Sequence, residues 1–119
     1  MNTPEPGPQV AASSGSNTSP GDTPAGMDLG ELQASIERTY GDRDRARGVA
    51  ASVAWLAEEI GELAQAVRKG TYEQQVHEFG DVVAWVATLA NQQGVDLADA
   101  VRRYADGCPR CGTSPCTCP

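Results

Sequence analysis

Gly70 stands between two stretches that both carry helical periodicity, and that junction limits how the chain can fold. Lys69-Gly70-Thr71 is short enough to force the two helices into an antiparallel pair. Residues equidistant from Gly70 then face one another: Glu62 with Glu78, Glu59 with Asp81, Trp55 with Trp85. On the first helix Trp55, Glu58, Glu59 and Glu62 share a sector of roughly 100°, and on the second Glu78, Asp81 and Trp85 share another. Four carboxylates therefore stack in two rungs, with a tryptophan pair one turn further out.

Carboxylates this close repel and raise each other's pKa unless a cation sits among them. Glu-x-x-Glu opposite Glu-x-x-Asp offers hard oxygen ligands and no soft ones, which suits Mg²⁺ or Mn²⁺ better than Zn²⁺ or Cu²⁺. Mg²⁺ held this way keeps waters and binds phosphates, and the two tryptophans could hold a base. The plainer reading is a solvated helix face, since the acids lie opposite the apolar stripe Val53, Leu56, Ile60, Leu63 and Val67. Three features oppose it. Trp55 sits in the acidic sector, the run Val82 to Ala90 is apolar nearly all round and so reads as a buried helix beside Asp81, and the rungs match across the turn. Spacing alone leaves both readings open.

No proline occurs between Met27 and Gly107. Residues 1–26, rich in Pro, Gly, Ser and Thr, read as a disordered tail, 27–107 as a helical domain, and 108–119 as a Cys-rich tail. Asp28 with Glu31 forms a capping box for the first helix, whose stripe is Leu29, Leu32 and Ile36 and whose end is expected near Tyr40-Gly41. The charged stretch Asp42–Gly48 then leads into the second helix, which runs to about Lys69. Its arginines, Arg43, Arg45 and Arg47, pair with Asp42 and Asp44 or reach a phosphate. Thr71 with Gln74 caps the third helix, expected to continue to about Gln93. His77 points about 100° away from Glu78 and reads as a surface or hydrogen-bonded histidine rather than a ligand. Asp96 with Asp99 opens a short fourth helix to Tyr104, where Arg102 and Arg103 suit the helix dipole or a phosphate. The fold expected is all-α: a small antiparallel bundle of about four helices. The second and third helices keep a further exposed strip, so a homodimer or homotetramer is expected to complete it.

At 119 residues, net charge −7 and pI near 4.5, the chain fits one small domain and lacks the broad basic surface that binds nucleic acid or anionic membranes. Without a spanning apolar run or a signal-peptide pattern, the expected location is cytoplasmic.

The tail spacing Cys108-x2-Cys111-x4-Cys116-x-Cys118 offers four thiolates, and Cys108-Pro-x-Cys111-Gly is a knuckle that turns backbone N–H groups toward sulfur. A structural zinc site is favoured over two disulfides, which a reducing cytosol disfavours. With all four positions filled, it has no open site for chemistry.

Trp55-Leu-Ala-Glu58-Glu59-Ile-Gly-Glu62, followed by Glu78-Phe-Gly-Asp81, resembles the MazG-type nucleotide pyrophosphohydrolases of the all-α NTP pyrophosphatase superfamily. Their signature is Glu-Glu-x-x-Glu and, after a spacer, Glu-x-x-Asp. The resemblance covers about residues 28–105 and extends to the Cys-rich tail of some small members. It implies hydrolysis of a nucleoside triphosphate between the α and β phosphates, giving the monophosphate and pyrophosphate. It also implies Mg²⁺ on Glu59, Glu62, Glu78 and Asp81, with Glu58 as a further ligand or as the group that orients and deprotonates the attacking water. Lys69, Arg102, Arg103 and Tyr104 become candidates for the leaving pyrophosphate, and Trp55 and Trp85 for the base. A phosphoribosyl-ATP-type enzyme and a non-enzymatic metal-binding module are the alternatives.

Overall fold

A computed structural model describes residues 26–119. Among these residues the chain forms four α-helices and no strand: α1 (Leu29–Arg47), α2 (Val49–Lys69), α3 (Tyr72–Gln93) and α4 (Leu97–Val101). A single 3₁₀ turn, Arg102–Tyr104, continues α4. The all-α expectation holds. The tail expected over 1–26 lies outside the described residues, Gly26 excepted.

Local chemistry sets most boundaries. Asp28 caps α1 by accepting from the Glu31 N–H at 2.7 Å, and Thr71 caps α3 by accepting from the Gln74 N–H at 3.2 Å. In both, the Glu or Gln side chain accepts in return from the cap's own N–H. α3 stops at Gly94, whose φ of 67° is left-handed, and the Val95 N–H then reaches back to the Ala90 carbonyl at 2.8 Å.

The end of α1 differs from the sequence expectation. The helix does not stop near Gly41 but runs two turns further, to a break at Gly48 with φ 86°. A glycine inside a helix costs only about 1 kcal/mol. Tertiary bonds outweigh that here: Asp44, on the added turns, is buried and accepts from the Thr88 hydroxyl of α3 at 3.0 Å. Gln92 adds a bond from its side-chain amide to the Asp44 carbonyl at 2.8 Å.

α2 and α3 form the antiparallel hairpin, α1 lies chiefly against α3, and α4 returns onto α1. The turn requires glycine for lack of room, since a Cβ on Gly70 would stand 2.7 Å from the Ala66 carbonyl oxygen. Ile36, Ala84 and Ala87 form the core, with Leu32, Tyr40 and Leu97 against them. Gln33 ties the start of α1 to the α3–α4 junction. Its amide donates to Asn91 Oδ1 at 3.2 Å and to the Val95 carbonyl at 2.8 Å, and its Oε1 accepts from the Leu97 N–H at 2.7 Å.

α3 is not buried all round as its composition suggested. Ala84, Trp85, Ala87 and Thr88 are buried, but Phe79, Val83 and Val86 are open. On α2 the stripe Val53, Ile60 and Val67 is likewise open, while Glu59 is buried. Within one chain α2 turns an acidic face inward and leaves an apolar face uncovered.

Candidate functional site

The hairpin brings the predicted residues together in the predicted register. At its outer end Trp55 and Trp85 stack with ring centroids 5.9 Å apart and planes 5° from parallel. Toward the turn, ligand-capable oxygens of Glu59, Glu62 and Glu78 lie within 4.8 Å of one another. Asp81 lies close enough to raise the pKa of both Glu59 and Glu78.

Electrostatics follows from that crowding. Burial pushes the Glu59 carboxyl up to about 7, and the charges of Glu62, Asp81 and Glu78 add to the shift. Glu78 is raised too, by burial first and then by Glu62 and Asp81, with His77 opposing. Glu59 Oε2 and Glu78 Oε2 are buried and have no hydrogen-bond partner. Two buried, unsatisfied carboxylate oxygens inside an acidic cluster fit a bound divalent cation, because a cation would remove both the repulsion and the missing partner.

Beyond the Glu62–Glu78 rung the hairpin opens a groove of about 520 Å³ lined by Glu62, Gln65, Lys69, Gln74 and Glu78 over Gly70. Lys69 is the one cation among its lining residues. Glu58 is exposed on α2, one position from the buried Glu59.

The remaining candidates are placed elsewhere. Trp85 is 1 % exposed, so Trp55, half-buried, is the ring of the pair that keeps surface toward solvent. Arg102 pairs with Asp99, and Arg103 donates to the Tyr104 hydroxyl at 2.9 Å; all three are exposed at the end of α4, which packs on α1. None of them lines the groove.

Two side chains near the site make contacts beyond the acidic rungs. His77 is a half-exposed surface histidine, as expected, and it stands in ion-pair distance of Asp81, with Nε2 3.2 Å from Oδ2. A nitrogen of His77 and oxygens of Glu78 and Asp81 lie within 4.8 Å of one another. The signal was the i, i+4 spacing of His77 and Asp81. The Arg47 side chain, 6 % exposed, pairs with Asp44 at 2.7 Å and sets its guanidinium 4.9 Å from the centre of the Trp85 ring. Its pairing with Asp44, and that of Arg45 with Asp42 at 2.9 Å, are the ones the sequence suggested.

The four thiols of the tail also converge. Cys108 and Cys118 sulfurs are 3.8 Å apart, Cys111 and Cys116 sulfurs 3.9 Å, and all four lie within 4.8 Å. Tetrahedral zinc with bonds of about 2.3 Å has sulfur–sulfur edges of about 3.8 Å. The Thr113 hydroxyl and the Thr117 N–H hold the Cys111 thiol down to about 5, whereas neighbouring sulfurs, Cys116 first, push Cys118 up to about 11. The donor set fits a zinc-type ion, and the cysteines are free rather than disulfide-bonded.

No helix among the described residues is long and apolar enough to cross a membrane. No curated protein matches the chain. Residues 47–110, more than half of the 119, match the MazG nucleotide pyrophosphohydrolase domain. That span runs from Arg47 through the paired acidic helices to Arg110, and the chain belongs to the MazG nucleotide pyrophosphohydrolase domain family.

Proposed function

We propose that this protein is a Mg²⁺-dependent nucleoside triphosphate pyrophosphohydrolase that cleaves between the α and β phosphates and yields a nucleoside monophosphate and pyrophosphate. The observation that carries the reading is the pair of buried, unpartnered carboxylate oxygens on Glu59 and Glu78 within the acidic rungs. Glu59, Glu62, Glu78 and Asp81 would hold the cation, Mn²⁺ being an alternative to Mg²⁺. When bound, the ion screens phosphate charge and lowers the pKa of water.

Glu58 orients and deprotonates the attacking water from the exposed edge of the same helix. Lys69, at the groove, neutralises charge on the leaving pyrophosphate. Trp55 offers its open face to the base, with Trp85 beneath it. Arg102, Arg103 and Tyr104 stand outside the groove of a single chain, so phosphate binding within one chain rests on Lys69.

Three further elements complete the reading. Residues 27–107 are the catalytic domain. Residues 108–119 are a zinc-held tail on Cys108, Cys111, Cys116 and Cys118, free thiols that suit the reducing cytoplasm. The open strips of α2 and α3 pair two copies into a homodimer, with a tetramer as the larger closed form.

Pyrophosphate release from a panel of canonical and damaged ribo- and deoxynucleoside triphosphates, with Mg²⁺, Mn²⁺ or EDTA, tests the reaction. Metal-dependent release is expected, abolished in Glu62→Gln and in Asp81→Asn with helicity kept. Full activity in both variants would remove the carboxylates from the mechanism.

A further inference from the structure

The acidic centre contains one nitrogen donor that an oxygen-only cation site does not need. His77 Nε2 stands 3.2 Å from Asp81 Oδ2, and a Glu78 oxygen lies within 4.8 Å of both. A second trio, Glu59, Glu62 and Glu78, also has its oxygens within 4.8 Å of one another, so Glu78 belongs to both. Octahedral ligands about 2.1 Å from an ion are about 3 Å apart along an edge and about 4.2 Å apart across it, so both trios are near ligand spacing. A His77–Asp81 ion pair alone accounts for the 3.2 Å contact. It leaves the buried Glu78 Oε2 without a partner, and it leaves Glu59, 7 % exposed, with a second unpartnered oxygen in the adjoining trio.

Imidazole is a borderline ligand that Mg²⁺ accepts poorly, whereas later first-row divalent ions bind it well, and Mn²⁺ takes it alongside carboxylates. We infer that His77 is a metal ligand, forming with Glu78 and Asp81 a mixed nitrogen–oxygen cation position beside the all-carboxylate one, and that this position takes Mn²⁺ in preference to Mg²⁺. The inference rests on the proposed function only in that the carboxylates bind a divalent cation.

The sequence makes the test specific. The chain holds one histidine, so an imidazole nitrogen coupled to bound Mn²⁺ can come from His77 alone. The full chain, prepared without a histidine tag and with zinc supplied to its thiols, is loaded with Mn²⁺ and studied by pulsed electron paramagnetic resonance. Imidazole ¹⁴N modulation is expected. It should vanish in His77→Gln and His77→Ala, with helicity kept and Mn²⁺ binding weakened about tenfold, while Mg²⁺ binding changes less than twofold. Mn²⁺ bound to the natural chain without imidazole coupling overturns the inference and leaves the carboxylate centre standing. Failure to bind Mn²⁺ and Mg²⁺ at all overturns the carboxylate centre, and His77 as a ligand with it.

Discussion

Glu59 is where packing and charge conflict most directly. Its carboxyl is raised from the usual 4.5 to about 7, so between those values the folded, metal-free protein holds a proton that the unfolded chain has released. Stability then falls as pH rises from about 4.5 to about 7, because the folded state binds more protons across that window. Thermal melts of metal-free protein should show that fall, and Glu59→Gln should flatten it. Mg²⁺ should raise the melting temperature most at the alkaline end, because binding there displaces no proton. A melting temperature that climbs across the same window would contradict the buried placement of this carboxyl. The pairing of Glu59 with its neighbours was legible from spacing. The nearness of His77 to Asp81 was signalled by their i, i+4 spacing, whereas the turn of the imidazole toward that carboxylate depends on a side-chain rotamer.

The helices divide in the same way. The capping boxes at Asp28 and Thr71, the glycine turn and the register of α2 against α3 are set by residues within a few positions of each other, and all were readable in the chain. The continuation of α1 past Gly41 depends on Asp44 meeting Thr88, 44 residues away, and no local signal carries that. The same contact supports the tryptophan pair: Thr88 donates to Asp44, Asp44 pairs with Arg47, and Arg47 lies over Trp85. Arg47→Met leaves Asp44 buried and unpaired, at a cost of about 3–5 kcal/mol. Both tryptophans of the chain are in this stack, so near-ultraviolet circular dichroism reports it directly. A changed tryptophan band together with a lowered denaturant midpoint is expected, and an unaltered band would detach Arg47 from the ring pair.

Among the described residues the buried core is small, and the uncovered side is apolar on both site-bearing helices. Light scattering behind size exclusion should give a dimer or tetramer, and Phe79→Glu, on the open face of α3, should shift it toward monomer. A natural chain that elutes as a clean monomer would count against self-association. The Cys tail is a separate matter. Cys111→Ser should release zinc and loosen residues 108–119 with little loss of turnover, while a folded but inactive variant would place the tail in the site. The acids, the tryptophan pair and the groove all lie between residues 55 and 85, on one hairpin whose partners are nearer in sequence than those that join α1 to α3. Contacts nearer in sequence cost less loop-closure entropy than distant ones. A hairpin that forms ahead of the α1 contacts brings four acids together unaided, so their mutual repulsion would weigh on the folding barrier as well as on the finished fold. Divalent cation or mild acid is therefore expected to speed refolding, and the acids proposed to hold the cation would also set how fast the chain can be made.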